Sequence, residues 1–104
     1  MALLSGIRDK IADGLFEYSK HAVDQSIVRG IAVHELREAI AGGAVVEDYP
    51  DDRYGPSCLI GGRTAAGRSL HVQCSYPSRS LVRIITLYEP DPQRWTDLRT
   101  RRRS

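Results

Sequence analysis

The stretch Ser57-Cys58-Leu59-Ile60-Gly61-Gly62-Arg63-Thr64-Ala65-Ala66-Gly67-Arg68-Ser69-Leu70-His71-Val72-Gln73-Cys74 reads as a β-hairpin. Thr64 to Arg68 fits a three-residue loop with Gly67 in the left-handed conformation such loops need. Thr64 then pairs with Arg68, Ile60 faces Val72, and Cys58 faces Cys74, all on one side of the sheet. The next break, Pro77-Ser78-Arg79-Ser80, joins strands Leu70–Tyr76 and Leu81–Glu89. With Tyr76 opposite Leu81, Val72 meets Ile85 and Leu70 meets Leu87. These apolar pairs define a face for helices to cover. The other face carries Leu59, His71, Gln73, Val82, Ile84, Thr86 and Tyr88. His71 lies opposite Thr86, with Tyr88 as its diagonal neighbour. On this register Arg83 points to the helix side.

Toward the N-terminus, Ala44–Tyr49 is a further strand, ended by Pro50 and the acidic pair Asp51-Asp52. Before it the pattern turns helical. Leu3, Leu4, Ile7, Ile11 and Ala12 recur at helical spacing, and Gly14 ends the run. Phe16-Glu17-Tyr18 alternates as a short edge strand. Ser19 is an N-cap for a helix from about Lys20 to Arg29, with apolar Ala22, Val23 and Ile27 and with Gly30 as its left-handed stop. A second helix, Val33 to Ala41, turns Val33, Leu36 and Ile40 inward and ends at Gly42-Gly43. Past the last strand, Pro90 and Pro92 break the chain and Trp95 folds back as an anchor. The spacing predicts an α+β fold. N-terminal helices pack on one face of a four-stranded, mainly antiparallel sheet in a single domain over 1–98. Residues 99–104 form a basic tail expected to be disordered.

The chain has 104 residues and a formal charge of +2, and this balance hides an asymmetry. Residues 1–52 hold five Lys and Arg against ten acids, whereas residues 53–104 hold ten Arg, no Lys and three acids. Arginine suits bidentate contacts to phosphate and carboxylate. The second half therefore points to a nucleic-acid or acidic-protein partner, or else to a solvated face and tail. No stretch approaches the roughly 20 apolar residues of a membrane span, and the first residues lack a leader pattern. A cytoplasmic protein with no membrane partner is expected. Cys58 and Cys74 make neither a disulfide framework nor a zinc site, and there is no CxxC or HExxH. Free buried thiols, no metal and no cofactor are expected.

The run Tyr18-Ser19-Lys20-His21-Ala22 through Arg29-Gly30-Ile31 places a histidine at the first turn of a helix and an arginine at its end. The helix dipole favours a cation at the C-terminus and disfavours one at the N-terminus. A neutral, proton-accepting imidazole at the helix start suits a phosphate-binding site.

Three stretches carry a family resemblance. They are this run, then Val45-Val46-Glu47-Asp48-Tyr49-Pro50 leading to Gly55-Pro56-Ser57-Cys58-Leu59-Ile60, and then Leu70-His71-Val72 with Ile84-Ile85-Thr86-Leu87-Tyr88-Glu89-Pro90-Asp91-Pro92 and Trp95. In order and spacing, over about residues 16–99, they resemble the bacterial domain-of-unknown-function family forty-two fifty-eight. That family looks related to RelE/ParE-superfamily toxins, most closely the BrnT-like ribonucleases. The resemblance implies helices on one face of an antiparallel sheet. It also implies a small antitoxin partner of the zinc-finger MqsA-like or DNA-binding type.

Metal-free RNA cleavage needs a general base, a general acid and cations on the phosphate. His71 suits acid–base work near neutrality, and His21 is the second such group. Tyr88 could orient the phosphate or donate a proton, and Arg29 and Arg83 could stabilise the charged transition state. Loop arginines Arg53, Arg63, Arg68 and Arg79 would hold the RNA backbone. Each has a structural alternative: a helix-end bond for His21, an ion pair for Arg29 and Arg83, a packed strand aromatic for Tyr88. The expectation is a toxin-like, metal-independent endoribonuclease acting by 2′-OH attack. The alternative is a non-catalytic interaction or dimerisation module, a homodimer included. Convergence of His21, Arg29 and His71 on one groove separates the two readings.

Overall fold

The protein is described by a computed structural model over residues 2–95. Its elements run α1 (Ala2–Ala12), β1 (Phe16–Tyr18), α2 (Lys20–Val28), α3 (Val33–Ala41), β2 (Ala44–Tyr49), β3 (Ser57–Arg63), β4 (Ser69–Ser75) and β5 (Val82–Tyr88). The fold is α+β, and the sheet has five strands in the order β1-β5-β4-β3-β2. The expected four-stranded sheet gains an edge because Phe16–Tyr18 pairs parallel with Val82–Ile84. The sheet is therefore mixed. The tail arginines Arg99, Arg101, Arg102 and Arg103 lie outside the described residues.

Local chemistry ends each helix where expected. The Ser19 side chain accepts from the Ala22 N–H, and Gly30 takes φ +61°. The α3 start has no capping side chain at Ala32, so Glu35 supplies half of a capping box by accepting from the Ala32 N–H at 3.0 Å. At the other end of α3 the Arg8 guanidinium donates to the Ile40 carbonyl, which also accepts from the Gly43 N–H, and to the Gly43 carbonyl.

The β3–β4 hairpin forms in the expected register, with Ile60 against Val72 and Cys58 against Cys74. The Thr64 N–H donates to Arg68 O, and Gly67 takes φ +89°. The β4–β5 register differs. Val72 pairs with Leu87 rather than Ile85, and His71 pairs with Tyr88 rather than Thr86. Gln73 pairs with Thr86 but Cys74 pairs with Ile84, so Ile85 is an extra residue on β5. Such a bulge turns the side chains on its N-terminal side to the other face. Val82 and Ile84 therefore enter the core, both fully buried, and Arg83 turns away from the helices. Both corrections to the expected faces follow from this one residue.

One face of the sheet holds the core. Ile7 and Ile11 of α1, Ala22 of α2, and Leu36, Ala39 and Ile40 of α3 pack on Ile60, Leu70, Val72, Ile84 and Leu87. Cys58 and Cys74 are free thiols buried in this layer, and the hydrogen bond between them together with burial pushes the Cys74 thiol up. Val33, expected to face inward, is exposed, and so are the apolar Val23 and Ile27 of α2. Of α2, Ala22 is the residue that reaches the core.

The seating of α3 is set by backbone rather than side chains. A Cβ on Gly62 would fall 1.9 Å from the Ala39 carbonyl oxygen, and one on Gly43 would fall 2.6 Å from the same atom. Neither obstacle is a flexible side chain, so relief would need the helix to lift. Gly62→Ala is expected to cost about 3 kcal/mol of unfolding free energy. Gly14→Ala, with open space around it and strain only from its positive φ, should cost about 1 kcal/mol. Urea denaturation of the two variants checks this, and equal losses would contradict it.

Candidate functional site

The face away from the helices divides into two regions at opposite ends of β5. Arg83 and Tyr88 are five residues apart on that strand, about 17 Å at ~3.3 Å per residue.

At the far end His71 is fully buried, although it points away from the main core. Trp95 folds back and lies edge-on to its ring, centroids 4.5 Å apart, and Tyr88 flanks it at 5.5 Å. Trp95 is itself 4% exposed. Edge-to-face aromatic contacts of this kind add to area burial. Leu59 is also buried on this face, so the sheet is covered on both sides here. Beside the stack lies an open depression lined by Arg29, Tyr88, Glu89, Pro90, Asp91, Arg94 and Trp95.

At the near end a cleft of about 500 Å³ opens between two loops. Ser75, Arg83 and Ile85 come from β4 and β5, and Tyr76, Ser78 and Arg79 from the turn between them. Asp52, Tyr54, Gly55 and Pro56 come from the loop before β3. Arg83 pairs with Glu17 at 3.4 Å, both about four-tenths exposed. Tyr76 Oη donates to Asp48 Oδ1 at 2.6 Å, and this bond pushes the Tyr76 hydroxyl up to about 12. Tyr76 is thus held protonated at neutral pH and is no general base.

The predicted site residues therefore separate. Arg29, Tyr88 and His71 meet at the far end, with His71 beneath Trp95 rather than lining the depression. Arg79 and Arg83 meet in the near cleft. His21 is exposed on α2, in the helical layer, whereas His71 faces the opposite side of the sheet. His21 and Arg29 are eight residues apart, about 12 Å along the helix axis. Arg53 is exposed with its guanidinium 5.3 Å from the Tyr54 ring centroid, and Arg63 is exposed at the end of β3.

Arg68 has a different occupation. It donates to the Arg29 and Gly30 carbonyls at 2.8 and 2.9 Å and pairs with Glu35 and Glu89 at 3.2 Å. One guanidinium thus ties together the end of α2, the start of α3 and the end of β5. It also serves as the cation that a helix C-terminus favours.

The sequence reading did not pick out Tyr54, Ser75 and Ser78 in the cleft. The turn Asp51-Asp52-x-Tyr54-Gly55-Pro56 was the available signal, because it lifts an aromatic residue onto a polar loop. Among the described residues no group of three or more His, Cys, Asp or Glu could hold a metal ion. No helix among them is long and apolar enough to cross a membrane.

Residues 18–89 match the family model described as Domain of unknown function (DUF4258). The chain belongs to that family. No curated protein and no solved structure matches it. The matched span of this DUF4258 domain begins at the last residue of β1 and ends just past β5. It takes in Arg68 with every group that Arg68 bonds, as well as the near cleft. Trp95 lies outside it.

Arg68 gives the domain an acid-sensitive joint. The Ala32 N–H and then the Arg68 guanidinium hold the Glu35 carboxyl below its ordinary value of 4.5. A lowered folded value stabilises the native state above the ordinary value, and that contribution is lost as pH falls through the folded value. Arg68→Met is expected to cost about 2 kcal/mol near neutrality and to flatten the decline in stability below pH 4.5. Chemical denaturation across an acid pH series measures both effects.

Proposed function

We propose that this DUF4258 domain is a partner-binding module that docks a small protein on α2. The observation that carries this reading is the apolar surface of that helix. Val23 is 41% exposed, Ile27 73% and Val28 79%, and Val33 at the start of α3 is half exposed. Four large aliphatics on so short a segment form a patch of the sort that marks interaction sites. Lys20 lies at one end of the patch and Arg29 at the other, both exposed. The occupant we infer is an amphipathic segment of a small partner protein, apolar along one side with carboxylates near both ends. A second copy packed antiparallel fits worse, because it would bring Arg29 of one chain toward Lys20 of the other. An antitoxin-like protein is a natural source of such a segment.

Co-expression with any small protein encoded next to this domain, followed by size-exclusion chromatography, tests the reading. Ile27→Asp and Val28→Asp should abolish the complex and leave circular dichroism unchanged. Undiminished complex formation by both variants, or hydrogen-exchange protection confined to another face, contradicts it.

A second reading, a toxin-like endoribonuclease of the RelE/BrnT type, is favoured by one observation. Arg29 and Tyr88 line one depression, and His71 lies against Tyr88. In this reading Trp95 must move for His71 to reach a phosphate. Expression should then arrest growth, and His71→Ala or Arg29→Ala should relieve the arrest. The purified protein should cleave RNA without added metal, faster after Trp95→Ala. Normal growth with intact RNA removes this reading and leaves the module.

A further inference from the structure

The near cleft is preformed, and hydrogen bonds hold its walls. Asp52 fixes one wall: its carboxylate accepts from the Tyr54 N–H at 3.2 Å and from Ser57 Oγ at 3.1 Å, and its carbonyl accepts from the Gly55 N–H at 2.9 Å. The Tyr76 N–H donates to Pro56 O and ties that loop to the sheet. The other wall is fixed by Lys10, whose ammonium donates to the Arg79 and Ser80 carbonyls at 2.8 and 3.1 Å. On the floor the Arg83 N–H donates to Ser75 Oγ at 2.8 Å, and Ser75 is 5% exposed. Binding would therefore require little reordering of backbone, which is a large part of the cost of association.

The lining combines two chemistries. Arg79 and Arg83 are the two guanidinium groups, with Ser78 beside them as a hydroxyl donor. Tyr54 is 84% exposed, its ring carrying the Arg53 guanidinium, and Ile85 is the apolar floor. Asp52 lies in the lining and keeps its charge, its carboxylate bonded to neutral donors, and Glu17 pairs with Arg83 at 3.4 Å. The groups that can receive an anion are the Arg79 guanidinium and the Arg83 guanidinium, the latter shared with Glu17. The cleft's volume matches a small-molecule site, for which ~300–1,000 Å³ is usual. Its lining residues come from two loops and the ends of two strands, a shorter stretch than the long groove that tracks a polynucleotide.

We propose that this cleft binds a mononucleotide-class ligand, a phosphate ester bearing an aromatic ring. Arg79 and Arg83 take the phosphate and Tyr54 takes the ring. The cleft lies on the sheet face opposite the helical layer, so this proposal stands independently of docking on α2.

Calorimetric titration of the full chain with adenosine 5′-monophosphate tests it, with adenosine, inorganic phosphate and a short oligouridylate in parallel. Saturable binding of the monophosphate is expected, with adenosine far weaker. Arg79→Gln and Arg83→Gln should each weaken it about tenfold, the effect of losing one charge-assisted contact. Arg79 is exposed on its loop, so its variant reports on binding even if Arg83→Gln, which also breaks the Glu17 pair, loosens β1. Tyr54→Ala should weaken the monophosphate and leave inorganic phosphate unchanged. The proposal is overturned by absent binding of the monophosphate, by unchanged affinity in both arginine variants, or by binding of the oligouridylate alone. It is equally overturned if adenosine binds as tightly as its monophosphate.

Discussion

The Ala39 carbonyl resting on the backbone of Gly62 is the contact on which the rest of this fold depends. It is a steric constraint with no side chain to absorb a change, and tightly packed interiors transmit such changes directly. It presses the last turn of α3 onto β3. Two arginines then fix the ends of α3: Arg8 at the C-terminal carbonyls and Arg68 at the Glu35 side of the N-terminus. Arg68 also binds the carbonyls that end α2 and the carboxylate that follows β5. The position of α3 thereby fixes the exit of α2 and the far edge of the sheet.

A second constraint, the extra residue Ile85, decides what the other face of the sheet presents. Without it Arg83 would lie under the helices and Val82 would face solvent. With it, Arg83 stands in the cleft beside Arg79 and pairs with Glu17 on the neighbouring parallel strand. The same bulge leaves the far half of β5 in the parity that sets Tyr88 beside His71. One inserted residue thus divides the face into an open, cationic end and a closed, aromatic end. The division matters for function, because one phosphate cannot meet Arg83 and His71 together.

The closed end shows why a histidine on a sheet face need not be a catalyst. Trp95 covers His71 as core residues cover one another, and the ring loses contact with solvent. By contrast α2 buries only Ala22 in the core and leaves Val23, Ile27 and Val28 outward. The apolar surface that the fold does not use is on the helix. The imidazole that a catalyst would use on the sheet face is beneath the tryptophan.

By itself the sequence determined the elements and the first hairpin. Ser19, Gly30, Gly67 and the period-two alternation of Leu70 to Cys74 act within a few residues of where they stand, so their consequences are local and legible. The family is legible for the same reason, because its motifs are short and ordered along the chain. The candidate site was legible only in part: the sequence grouped His71 with Tyr88 and marked Arg79 and Arg83, but spread one site over two. Only the tertiary structure decided the β4–β5 register, since a bulge is chosen by which of Ile84 and Ile85 the helices bury. It also decided that Arg68 joins the end of α2, the start of α3 and the end of β5, since its partners are up to 39 residues away. The same holds for the exposure of Ile27 and the burial of His71. Helical spacing shows that a helix has an apolar side, but only packing shows whether anything within the chain covers it.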